Sequence, residues 1–155
     1  MLVLVALTLS LAVAACSSSS SELTTTGGPN ETAPEFFARL FSYDNQGDWG
    51  HSWEFLHPAQ QRFVPRERYI ECANLVFGGL KISDVKTEGV DHWPLDWEGI
   101  PERTMTSVLL TFNVKSENRS EEHIQRFFAA RHDGAWVWLM RPHNLERYKE
   151  GGCPT

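Results

Sequence analysis

The chain has 155 residues, 41% of them apolar, with a formal net charge of −6 and no cluster of basic residues. That balance argues against a nucleic-acid partner and against electrostatic adhesion to anionic lipid. Every charged residue lies beyond the first 21 positions.

Residues 1–15 are almost wholly Leu, Val and Ala. The run is too short for a membrane-spanning helix, which needs about 20 apolar residues, and reads instead as the apolar region of a secretory signal. No Lys or Arg precedes it, where a basic region is expected; this is consistent with a start upstream of Met1 or with inefficient export. Val13-Ala14-Ala15-Cys16 resembles the lipobox of bacterial lipoproteins. The resemblance implies cleavage after Ala15, a diacylglyceryl thioether on Cys16, and in many bacteria acylation of the new amino terminus. Two or more acyl chains give stable anchoring, so the expected location is the outer side of the cell membrane. Residues 16–30, rich in Ser, Thr, Gly and Pro, form a tether that cannot bury enough apolar surface to order itself. As a random coil it spans on the order of 20 Å.

Residues 31–155 are the length of one domain and bury enough surface for a true core. Beyond Cys16 only Cys72 and Cys153 remain. A pair of cysteines in an exported chain is expected to form a disulfide; a catalytic cysteine is the competing reading, although no companion motif marks a nucleophile.

Thr32-Ala33-Pro34-Glu35 is a capping box with Pro in the first turn. Phe36, Phe37, Leu40 and Phe41 then form an apolar stripe at helical spacing, ended by Asn45-Gln46-Gly47. Asp48 caps a second helix carrying Trp49, Trp53 and Leu56. His57-Pro58 interrupts it, and a short amphipathic piece with Phe63 follows. Pro65 opens a third segment with Tyr69, Ile70 and Ala73 inward.

After Gly78-Gly79 the period changes to alternation, with Leu80, Ile82 and Val85 in a first strand. A loop is expected from Asp91 to Pro101. Val108, Leu110, Phe112 and Val114 form the inward face of the clearest strand, and Ser116 to Ser120 a turn. Ile124–Arg131 and Ala135–Met140 flank Asp133-Gly134, a strong hairpin signal. Helices followed by three or four antiparallel strands predict an α+β fold with helices on one sheet face.

This order, with Gly47-Asp48-Trp49, Trp53, Leu56, His57-Pro58 and Tyr69-Ile70-Glu71-Cys72, resembles the NTF2-like (cystatin-like) superfamily and its small exported actinobacterial members. The resemblance covers most of residues 32–141. It implies N-terminal helices packed on a curved antiparallel sheet, a cone with a pocket between them. It does not imply one function, since the fold hosts isomerases, dehydratases, transport factors and binding modules.

Trp49, Trp53, Phe112, Phe128, Trp136 and Trp138 either line a pocket for a lipid or other apolar ligand or simply fill the core. Trp93 and Trp97, in the polar loop, either contact a glycan or protein or fold back over the sheet. Asp44, Gly47 and Asp48 form part of a calcium-loop pattern, but Phe55 stands where its closing Glu is required. No His pair has the spacing of a helical zinc site, and Asp91, His92, Asp96 and Glu98 are expected to be a solvated acidic loop. No metal or cofactor is expected. Of the tyrosines Tyr43, Tyr69 and Tyr148, none has a visible carboxylate partner on an inward strand position. The expectation is therefore a non-catalytic binding module for an apolar small molecule, a lipid or an envelope protein. The alternative is a small ketosteroid-isomerase-like or dehydratase-like enzyme, which would place a carboxylate or His beside an acidic donor inside the cone.

Overall fold

A computed structural model describes residues 28 and 30–154. The expected signal segment, Cys16 and nearly all of the expected tether lie outside the described residues. Among those residues, no helix is long and apolar enough to cross a membrane.

The helices come first. α1 (Ala33–Gln46) starts at the expected capping box, with Thr32 and Glu35 satisfying each other's orphan amides. It stops at Gly47, whose φ of 73° makes it a left-handed cap that costs glycine little. α2 (Trp49–Glu54) is capped by Asp48. The His57-Pro58 interruption begins the single turn of α3 (Pro58–Gln61), and α4 (Arg66–Phe77) follows Pro65.

Four antiparallel strands follow in simple order, β1 (Lys81–Pro94), β2 (Thr104–Ser116), β3 (Arg119–His132) and β4 (Ala135–Trp138). The fold is thus α+β, with an open four-stranded sheet. Asp133 and Gly134 both have positive φ, as a two-residue hairpin turn requires.

Three expectations are corrected, and one helix was not foreseen. The loop expected from Asp91 begins as strand, because residues 91–94 pair with residues 104–107. The alternation expected for β1 is broken by register shifts at Ser83/Lys86 and Thr87/Gly89, which leave Val85 exposed and Leu80 before the strand. The strand read from Ile124 to Arg131 is longer, running from Arg119 to His132, and Ile124 within it is 67% exposed. The chain also ends in a further helix, α5 (Pro142–Lys149), which buries only Leu145 and Tyr148 and so carries too weak a stripe to be read from sequence.

Three clusters hold these elements together. Phe36, Phe37, Leu40 and Phe41 of α1 pack on Val108, Leu110 and Phe112 of β2 and on Ala129 of β3. Leu56, Val64, Met140, Leu145 and Tyr148 join α2–α4 to α5, where Cys72 and Cys153 are disulfide-bonded. On the opposite sheet face, Leu95, Ala130, Val137 and Leu139 pack with Trp97 and Phe128. The outer edge of β4 is covered, since Trp138 exchanges backbone hydrogen bonds with Phe55 and His57.

Candidate functional site

Two helical stripes face one another across a gap. On α1 the positions Phe37, Leu40, Phe41 and Asp44 follow i, i+3, i+4, i+7 spacing; on α4 so do Tyr69, Cys72, Ala73 and Val76. All eight line one cavity of about 580 Å³. Trp49 and Phe77 close one side, Phe112, Val114 and Phe127 form the sheet wall, and Trp138, Met140 and Tyr148 come from the C-terminal part. The size lies within the range of small-molecule pockets.

Asp44 and Tyr69 are the polar groups that the two stripes bring to this cavity. The Ser52 hydroxyl donates to Oδ1 of Asp44. Among the described residues, Oδ2 has no hydrogen-bond partner and no cation pairs with the carboxylate. Burial in apolar surroundings pushes the Asp44 carboxyl up to about 6, against the opposing effect of the Ser52 bond. The Tyr69 hydroxyl likewise has no hydrogen-bond partner among the described residues. Burial, then the Asp44 charge, then Tyr148 hold it well above the ordinary phenol range. Tyr148 itself is pushed up to about 12 by burial, with Arg68 opposing.

Register decides the rest of the sheet wall. Val114, Phe112 and Leu110 of β2 pair with Glu121, His123 and Gln125 of β3, so these polar side chains share the inward face. Inward strand positions are therefore not all apolar, as β2 alone would indicate.

Of the sequence-selected aromatics, Trp49, Phe112 and Trp138 line the cavity; Phe128 borders it too, but its ring packs on Trp97 in the cluster of the other sheet face. Trp53 instead donates from Nε1 to the Val64 carbonyl at 2.7 Å, and Trp136 to the Glu31 carbonyl. Trp93 and Trp97 are separated: Trp93 ends β1 half-exposed, whereas Trp97 packs edge-on against Phe128. The acidic loop residues do not gather either, since Asp91 pairs with Arg126 and His92 with the Thr106 hydroxyl. Asp44 was legible as a carboxylate at the i+7 place of an apolar stripe, a signal that the calcium comparison obscured.

A second cluster was not legible. Glu102, from the loop before β2, accepts from Nε2 of His57 at 2.8 Å and Nδ1 of His132 at 2.6 Å. The three residues have the composition of a metal site, with one ligand atom from each within 4.8 Å of the others. The tautomer argues for a different role. Nδ1 of His57 accepts from the Ala59 amide at 3.0 Å, so its proton sits on Nε2 and points at Glu102. A metal on Nε2 would require either an imidazolate or loss of the α3 cap. The cluster is instead a hydrogen-bonded tie between the loop, α3 and the end of β3, with His57 buried and Glu102 and His132 partly so. Burial pushes His57 down, outweighing the Glu102 bond. Burial pushes Glu102 up, but the bonds from His132, its own amide and His57 prevail and lower it.

No protein-family model matches the chain, and no curated protein matches its sequence.

Proposed function

We propose that this chain is an exported lipoprotein, anchored through Cys16, whose NTF2-like domain is a non-catalytic binding module for an apolar small molecule. The observation that supports the binding module is the cavity of about 580 Å³ between α1, α4 and the sheet, walled by Phe37, Phe41, Trp49, Phe112 and Trp138. Phe37, Phe41 and Phe112 also pack on one another as core, while the gap they border with Trp49 and Trp138 stays open. The anchor rests on the lipobox-like Val13-Ala14-Ala15-Cys16, and the NTF2-like assignment on the order of helices and strands.

The test is native against denaturing mass spectrometry of the full chain, produced in an exporting bacterial host. A native mass excess that vanishes on denaturation, on a chain beginning at lipid-modified Cys16, is the expected result. An unmodified chain of bare mass overturns the anchor. A bare mass in both spectra overturns ligand capture and favours protein contact, for which half-exposed Trp93 is the best-placed aromatic.

A second reading is favoured by one observation. Asp44 and Tyr69 put a carboxylate and a phenol into the same apolar cavity, as an isomerase or dehydratase of this fold class requires. Asp44 would accept a carbon-bound proton while the Tyr69 hydroxyl donates to the developing oxyanion. Deuterium uptake from D2O into a cyclic unsaturated ketone, abolished by Asp44→Asn, supports catalysis. Uptake unaffected by that substitution removes it.

A further inference from the structure

Charge accounting around the cavity singles out one group. The sheet side and α5 bring Arg119, Arg126 and Arg141 to its lining, but each is already engaged. Arg119 pairs with Glu121. Arg126 pairs with Asp91 at 2.7 Å, and Arg141 donates to the Arg126 carbonyl while its guanidinium lies over the Phe128 ring. From α1, α2 and α4, Asp44 is the only charged residue in the lining. Its Oδ1 takes the Ser52 hydroxyl; its Oδ2 has no partner among the described residues.

Asp44 is partly buried, and a carboxylate bordered by apolar walls gains from a cation placed beside it. The walls around this one are aromatic: Phe37, Phe41, Trp49, Phe112 and Trp138 present rings to the same space. Ring faces attract cations and repel anions. The cavity thus combines one unpaired anionic group with surfaces that favour positive charge, next to a Tyr69 hydroxyl whose oxygen has room to accept a further N–H.

We infer that the ligand of this cavity is an apolar amine, whose ammonium group pairs with Asp44 and is shared with the Tyr69 hydroxyl while its hydrocarbon part lies among the rings. This rests on the pocket reading above and narrows it to one ligand class. A neutral alcohol would leave the carboxylate without a counter-charge. A fatty acid would add a second anion to the same space.

The test compares decylamine, decan-1-ol and decanoate, each below its micelle concentration, on the full chain at pH 7.5 by calorimetry and by Trp fluorescence. Decylamine is expected to bind at least tenfold more tightly than decan-1-ol, with decanoate weakest. Asp44→Asn keeps an acceptor for the Ser52 hydroxyl; it is expected to bring decylamine down to the alcohol's affinity, and a near-ultraviolet circular dichroism spectrum matching the parent's shows that the variant is folded. Equal binding of amine and alcohol, or an amine preference that survives Asp44→Asn, overturns the amine assignment and leaves the pocket reading standing. Failure of all three probes to bind overturns the pocket reading, and the assignment with it.

Discussion

The side chain of Gln60 pairs with the main chain of Met140 in both directions: its Nε2 donates to the Met140 carbonyl at 2.9 Å, and its Oε1 accepts from the Met140 amide at 2.8 Å. Gln60 is buried. An amide side chain thereby stands in for a neighbouring strand where β4 has ended, and it satisfies two backbone groups that water cannot reach. Gln60→Leu strands both. The expected loss is about 2–6 kcal/mol, at roughly 1–3 kcal/mol for each unsatisfied buried group, read from the urea midpoint.

The Glu102 tie makes a related prediction with a pH signature. Glu102→Ala leaves the His57 and His132 N–H groups without their acceptor and is expected to cost about 2–4 kcal/mol at neutral pH. Both His57 and Glu102 have lowered pKa values, so the unfolded chain binds more protons than the folded one. Stability is then lost as pH falls, below about 6.5 for His57 and below about 4.5 for Glu102, toward their folded values. Denaturant melts between pH 4 and 8 should show this acid loss in the parent chain and a steeper one below about 6.5 in Glu102→Ala, because the Glu102 bond that opposes the lowering of His57 is gone.

Asp44 works with the opposite sign. Its carboxyl is raised from 3.8 to about 6, so here the folded state binds the extra proton. Its contribution is fully present below pH 3.8 and is lost as pH rises through about 6. A shift of that size corresponds to at most about 3 kcal/mol of destabilisation at neutral pH. Asp44→Asn is therefore expected to stabilise the unliganded chain at pH 7.5 and to have little effect at pH 4, in the same melts. Equal effects at both values would show that Asp44 does not titrate in this range.

The Cys72–Cys153 bridge links residues 81 apart. Replacing both by Ser removes a constraint on the unfolded chain worth about 4 kcal/mol in the loop-entropy model. The expected result is a lower urea midpoint. α5 and the C-terminal residues should lose amide-exchange protection first, because α5 buries only Leu145 and Tyr148.

Much of the framework was legible because it is written in local chemistry. The Thr32–Glu35 capping box, the Gly47 stop, the Asp48 cap and the Asp133-Gly134 turn each depend on neighbours a few residues away. The inward face of β2 followed from the sequence alternation of Val108, Leu110, Phe112 and Val114, although Ser107 and Thr111 on the other face are buried as well. The disulfide was legible from the pair of cysteines, Cys72 and Cys153, that remains beyond Cys16. What the sequence left undetermined depends on partners far along the chain. Register with β2 turned Glu121, His123 and Gln125 inward, and bulges removed the pattern from β1. Packing on Phe128 drew Trp97 away from Trp93. His57 and Glu102 meet across 45 positions, through an interaction that leaves no periodic trace. Asp44 belongs to both sides: its place on an apolar stripe is local, but its solvation, and so its charge, depends on α4 and the sheet closing around it. Spacing along a chain determines which face a side chain occupies; only the tertiary fold determines what dielectric and which partners it finds there.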